Sequence, residues 1–178
     1  MSVPGEYREG SDARTLRDAL GCFATGVTIV TACGTPRRPA DTKGQQGTPI
    51  GLTVNSFTSV SLDPPLLLVC IANNAGTAGV LAAAEHFAVN MLRMGQQDIS
   101  DRFARPGADR FAATDWSYGE YGAPIINGSL ASFECARASV HDGGDHFILI
   151  GRVLHARFEP SGDPLLYFRG SYRHVDGA

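Results

Sequence analysis

Residues 130–141 and 146–158 are two long strand-like runs separated only by Asp142-Gly143-Gly144-Asp145, a four-residue hairpin turn. Strands joined so briefly must pair antiparallel, because a parallel pair needs a crossover of a dozen or more residues. The rest of the chain continues in kind. Residues 27–33, V-T-I-V-T-A-C, form a β-branched run suited to a central strand, and residues 66–72 form an unbroken apolar run expected to be covered on both faces. Residues 86–92 alternate, residues 124–127 give a short strand, and residues 165–168 and 171–174 are expected to finish the sheet. Many short strands, few helices and no repeated strand-helix unit predict a mainly β chain closed as an antiparallel barrel.

Helices are brief in this reading. Ser11 or Asp12 can cap a first helix carrying Leu16, Leu20 and Phe23 at helical spacing, with Gly26 placed to end it. Residues 78–85 are alanine-rich and predict a short helix capped near Thr77, and residues 96–104 predict a third, with Ile99 and Phe103 four apart and Ser100 on another face. Residues 1–11 read as a frayed tail and residues 12–178 as one domain. The glycine-bearing segment 34–48, with Arg37, Arg38 and Lys43, reads as a long solvated loop. Trp116, Tyr118 and Tyr121 sit in an aromatic loop that can cover a substrate or fill a subunit boundary.

Composition excludes several classes. A net charge of −3 with both signs interspersed offers no nucleic-acid footprint. The amino terminus has no apolar core of signal length and the apolar runs are too short for a membrane helix, so a cytoplasmic protein is expected. Cys22, Cys33, Cys70 and Cys135 lie too far apart for a Cys-x-x-Cys site and read as buried reduced thiols. No Gly-x-Gly-x-x-Gly or Walker loop appears, so any nucleotide is held without a Rossmann domain. His141 and His146 flank the hairpin turn roughly opposite each other beside Asp142 and Asp145, but two histidines on a turn lack a third fixed ligand, and no metal is expected.

The chemistry-bearing residues concentrate in 51–65, G-L-T-V-N-S-F-T-S-V-S-L-D-P-P, where hydroxyl and apolar residues alternate as in one strand with a polar face, closed by Asp63-Pro64-Pro65. A second polar group, Asn73-Asn74-Ala75-Gly76-Thr77, opens the 78–85 helix, where free N–H groups, amides and a hydroxyl suit a phosphate. Arg102, Arg105 and Arg110 suit phosphate as well, or pairing with Asp98, Asp101 and Asp109.

The stretch 51–65 resembles the signature of the short-chain NAD(P)H:flavin oxidoreductases, the reductase components of two-component flavin-dependent monooxygenases. Phe23-Ala24-Thr25-Gly26-Val27-Thr28-Ile29-Val30-Thr31 resembles that family's opening segment, Gly144-Asp145-His146 with Ile150-Gly151-Arg152-Val153 its Gly-Asp-His hairpin, and Arg169-Gly170-Ser171-Tyr172 its closing segment. The resemblance implies a split β-barrel of the flavin-reductase/FMN-binding type and a homodimer with flavin near the subunit boundary. It places ring and ribityl contacts on Thr53, Val54, Asn55, Ser56 and Ser59, the phosphate side on Asn73, Asn74 and Thr77, and a further cofactor contact on Ala72. It gives His146 the role of holding the hydride donor and Tyr172 that of stacking on nicotinamide or flavin. The implied substrates are FAD or FMN and NAD(P)H, the absence of a clear basic pair beside a ribose site favours NADH over NADPH, and the implied partner is a monooxygenase that receives reduced flavin. A retained-flavin oxidase and a non-catalytic flavin carrier are the alternatives.

Overall fold

The computed structural model describes residues 12–34, 47–107 and 109–175. The expected tail 1–11 and the basic residues Arg37, Arg38 and Lys43 lie outside them. The elements run α1 (Ala13–Leu20), β1 (Thr25–Gly26), β2 (Thr28–Cys33), β3 (Pro49–Val54), β4 (Thr58–Leu62), β5 (Pro65–Ala72), α2 (Ala78–Ala83), β6 (His86–Met91), α3 (Gln97–Ala104), β7 (Trp116–Tyr118), β8 (Pro124–Ile126), β9 (Ala131–Gly143), β10 (His146–Phe158), β11 (Leu166–Phe168) and β12 (Ser171–Arg173). The chain is mainly β, as expected.

Seven strands form one antiparallel sheet in the order β3-β2-β6-β9-β10-β5-β4. The β9–β10 hairpin is its spine, paired from His146↔Gly143 to Phe158↔Ala131. Its turn is tighter than expected: Gly143 remains in the ladder and Gly144 takes a φ of 83°, which glycine alone adopts without strain. The tighter turn moves the histidines out of opposition, since His146 pairs with Gly143 and His141 with Ile148.

β2 is the packing centre. Its first five residues are buried, and alternation sends Val30 and Ala32 into one apolar cluster with Leu67, Val69, Ile71, Leu81, Phe87 and Leu149, while Ile29 enters a second with Leu92, Phe103, Ile126 and Leu165. Each valine, leucine, isoleucine or phenylalanine among them contributes roughly 1.5–3 kcal/mol by leaving water. Between the clusters lies a buried polar network. Asn90 donates through Nδ2 to the Ile29 carbonyl and to Thr31 Oγ1, and its Oδ1 accepts from the Ile126 N–H and from Ser132 Oγ. Every polar atom of its side chain is thereby satisfied, which fastens β8 to the sheet.

Several elements depart from the sequence reading. β5 is not uniformly covered but alternates, with Leu67, Val69 and Ile71 buried. Pro65 does not end pairing; it begins β5 opposite Leu62. The first helix ends at Gly21, and Gly26 belongs to β1. β11 and β12 do not finish the main sheet but form a three-stranded sheet with β1. The 51–62 run is two strands, not one: β3 and β4 stand at opposite ends of the sheet order, separated by Asn55, Ser56 and Phe57. Ser56 Oγ donates to the Cys70 carbonyl and accepts from the Cys70 N–H, both at 2.9 Å, tying this link to the middle of β5.

Candidate functional site

The outer edge of β3 borders a row of clefts. The first, of about 660 Å³, lies between residues 49–53, the turn 74–77, the end of α3 and the loop around Arg110. Through Thr53 and Ala104 it meets a smaller one of about 190 Å³ lined by Val54, Asn55, Ser100, Tyr167 and Tyr172. Through Asn55 and Tyr167 that one meets a third, of about 580 Å³, beneath α1 and the β11–β12 turn. β3 makes the row possible because it is a sheet edge: β2 pairs along one side and α3 packs near the other.

Thr53, Val54, Asn55, Asn74, Thr77 and Tyr172 all line this row. Thr53 Oγ1 donates to the Ser100 carbonyl at 2.6 Å. The Val54 carbonyl accepts from Thr28 Oγ1 at 3.0 Å. Asn55 is exposed at the junction of the second and third clefts. The Tyr172 hydroxyl donates to Asp101 Oδ1 at 2.9 Å and lies 2.8 Å from Ser100 Oγ, while its ring meets Tyr167 edge-on. Burial pushes its phenol above the ordinary tyrosine range.

Thr77 occupies the first position before α2 but makes no capping bond, and its Oγ1 is buried with no hydrogen-bond partner among the described residues. A buried hydroxyl left unpaired costs about 1–3 kcal/mol, so this one is poised for an acceptor from outside the protein. With the Asn74 amide in the same cleft, the donors fit a phosphate oxygen.

A second group gathers at the hairpin. Ala72 pairs with His146, the Asn73 N–H donates to the Asp145 carbonyl at 2.9 Å, and Asn73 Nδ2 donates to the Gly144 carbonyl at 3.0 Å. The Asn73 amide is thus engaged in clamping the turn. His146 Nδ1 donates to Asp145 Oδ1 at 2.6 Å, and that bond, with the histidine's charge, holds the exposed Asp145 carboxyl below its ordinary range. The His146 side chain is 44% exposed and lines none of the clefts described above, though its ladder partner Ala72 lies two residues before Asn74. Ser56 and Ser59 stand apart, Ser56 bonded to β5 and Ser59 exposed on β4.

Residues that the sequence reading passed over support the row. Ser100, expected on a different face from Ile99 and Phe103, is fully buried, because Gln96, Ser100 and Phe103 share the inward face. That spacing of four and three was the available signal. Arg102 is engaged with Asp98, the Ala113 carbonyl and Thr114, and Arg110 with the Arg105 and Gly51 carbonyls, so these guanidinium groups strap the loop beside the first cleft. Trp116 packs edge-on between Phe111 and Tyr118 at the edge of the second core cluster. Burial raises the Cys33 thiol and pushes Cys135 up to about 12, so both stay protonated and inert at neutral pH.

A mainly β chain with a polar, phosphate-suited cleft along an edge strand is the frame of a nucleotide-binding protein that uses no Rossmann unit. A flavin reductase like domain matches residues 20–176, and the chain belongs to that family. It is 51% identical over 162 residues to a probable flavin reductase of Rhizobium meliloti, covering 90% of this chain and 48% of that protein. It is 45% identical over 170 residues to the NADH-type FMN reductase of Agrobacterium fabrum, covering 96% and 88%. The NADH:FAD oxidoreductase of Streptomyces globisporus, solved with NAD and FAD fragments, superposes with a TM-score of 0.86 at 39% identity, covering 96% of this chain and 97% of that one. The chain spans 48%, 65% and 48% of the first three curated relatives it matches.

Proposed function

We propose that this chain is an NADH-dependent flavin reductase that takes FAD or FMN as substrate and releases it reduced to a separate flavin-dependent monooxygenase. The observation that carries the reading is the unpaired Thr77 hydroxyl at one end of a cleft whose other end is the Thr53–Asn55 edge. Relatives named as an FMN reductase using NADH and as the reductase component of a trigonelline monooxygenase support it. The flavin supplies a two-electron acceptor for the nicotinamide hydride. The residues supply placement. Asn74 and Thr77 hold the phosphate, the backbone at Thr53, Val54 and Asn55 meets the ring edge, and the Tyr172 ring walls the second cleft. Donor and acceptor must approach to roughly 3–3.5 Å, so positioning is what the protein contributes. His146, fixed by Asp145, positions the donor from the hairpin. The hydroxyls and amides of Thr53, Asn55, Asn74 and Thr77 offer hydrogen bonds to the flavin, which suits release.

Residues 12–178 act as one domain in this reading, with the seven strands as the wall of a split barrel whose seam is held by Ser56. β4 is the homodimer face, since Leu62 is 95% and Val60 46% exposed on an unpaired edge. Among the described residues no helix is long and apolar enough to cross a membrane, in keeping with work in the cytoplasm, where NADH is made. The deciding experiment follows NADH absorbance with FAD, with FMN and with no added flavin. Oxidation that requires and saturates with added flavin is expected. Turnover without added flavin would indicate a retained-flavin oxidase, and flavin binding without turnover a carrier. His146→Ala is expected to lower kcat about tenfold or more while flavin affinity holds within about twofold.

A further inference from the structure

Asn73 and Asn74 stand side by side between β5 and α2, and the family resemblance places both on the phosphate side, yet the fold gives them different neighbours. Asn74 lines the first cleft together with Thr77 and its unpaired hydroxyl. Asn73 lines none of the clefts described above and turns to the β9–β10 hairpin. Its N–H donates to the Asp145 carbonyl at 2.9 Å and its Nδ2 to the Gly144 carbonyl at 3.0 Å, so one residue holds two consecutive carbonyls of the turn. The turn has little else to hold it. The ladders end at His146, which pairs with Gly143 on one side and Ala72 on the other. The Asp145 side chain is 92% exposed, so packing does not fix it. Among the described residues, Asn73 supplies the only side-chain hydrogen bond that reaches the turn from outside the hairpin.

That turn carries His146. The ring's Nδ1 donates to Asp145 Oδ1 at 2.6 Å, and this is the one hydrogen bond that holds the ring among the described residues. An imidazole anchored through a single nitrogen points where its carboxylate partner directs it, and the carboxylate follows the backbone at Gly144 and Asp145. Asn73 is the outside brace of this chain, from amide to turn, from turn to carboxylate and from carboxylate to imidazole. A hydride donor must lie roughly 3–3.5 Å from its acceptor, and small misplacements of the groups that hold it cost rate. A brace on His146 therefore acts on turnover, whereas a phosphate contact acts on flavin affinity.

We propose that Asn73 is a positioning residue for hydride transfer, bracing the Gly144-Asp145 turn so that His146 faces the donor, and is not a contact of the flavin phosphate. This rests on the reductase reading and on the place of His146 in it. Asn73 is exposed, so its variants are expected to fold, which urea unfolding verifies. Asn73→Ala and Asn73→Asp each remove the amide donor to Gly144 and keep the backbone N–H. In steady-state oxidation of NADH with FMN, each should lower kcat about fivefold, with the FMN dissociation constant from calorimetric titration within about twofold of the wild type. The Asn73→Ala/His146→Ala double variant should match His146→Ala within about twofold, because the brace has nothing to act on once the ring is gone. Titration of the Asp145 carboxyl followed by NMR gives a readout free of turnover. The bond and charge of His146 hold that carboxyl below its ordinary range, and Asn73→Ala should return it toward that range. Asn74→Ala, on the cleft side, should do the reverse, weakening FMN binding and leaving the Asp145 titration in place. An unchanged kcat in Asn73→Ala, FMN binding that falls as far in it as in Asn74→Ala, losses that multiply in the double variant, or an Asp145 titration that does not move would overturn the proposal. Absence of flavin-dependent NADH oxidation in the wild type would instead count against the reductase reading, and the Asp145 titration would still decide whether Asn73 braces the hairpin.

Discussion

β3 and β4 follow each other in the chain, share one alternating hydroxyl-apolar pattern and end in opposite environments. β3 pairs with β2 along its whole length and presents Thr53 and Val54 to a row of clefts. β4 pairs only with β5, through a register shift between Ser59 and Ser61, and four of its five residues are exposed. Alternation specifies that a strand has two faces; it does not specify what stands opposite each. α3 supplies Ser100 and Phe103 against β3, whereas nothing in the described chain covers Leu62. One edge consequently borders a row of clefts, and the other leaves Val60 and Leu62 exposed in the described chain.

That contrast is open to attack at five positions. The largest effect is expected at Gly51, where an added Cβ would sit 2.9 Å from Phe103 Cε1 and 3.1 Å from Thr31 Cγ2. Gly51→Val should destabilise by about 2–3 kcal/mol in urea unfolding, while Val60→Thr on β4 should stay within about 0.5 kcal/mol. A smaller loss at Gly51 would show β3 to be as loosely supported as β4. Next is the link that sends the two strands apart. Ser56→Ala removes both bonds to Cys70 and should cost about 1–2 kcal/mol, with faster exchange of the Cys70 amide hydrogen.

Tyr172→Phe leaves the ring and removes its bonds to Ser100 and Asp101, for an expected loss of about 1 kcal/mol at neutral pH. The sign with pH is specific. The folded-state phenol is raised, so its contribution is complete below the unfolded value of ~10 and fades as pH climbs from there through the folded value. The difference in stability between wild type and Tyr172→Phe should narrow over that alkaline window and nowhere below it. Smallest in unfolding, though not in assembly, is Leu62→Asp. It should change monomer stability by less than about 0.5 kcal/mol yet shift sedimentation from dimer to monomer. Unchanged sedimentation would remove β4 as the dimer face.

Much of the fold was legible because its signals are local. The hairpin around Gly144, the β-branched run of β2 and the break at Asn73-Asn74 announce themselves within a few residues. Among the expected site residues, Thr53, Val54, Asn55, Asn74, Thr77 and Tyr172 share one row of clefts, while Ala72, Asn73 and His146 share the hairpin end. The errors have a common source. The division of residues 51–62 and the separate sheet of β11 and β12 each depend on a partner far away in sequence.

From the sequence alone came the strand inventory, the antiparallel sense, the polar character of 51–61 and 73–77 and the resemblance to flavin reductases, because turns, alternation and motifs are written in neighbouring residues. Only the tertiary structure decided which hydroxyls remain available. Ser56 is engaged by Cys70, Thr53 by the Ser100 carbonyl and Asn73 by the hairpin turn, whereas Thr77 and Thr25 keep buried, unpaired oxygens beside clefts. A serine and a threonine read alike in a sequence; whether a hydroxyl can meet a ligand depends on which backbone group the fold has already brought within 3 Å or so of it.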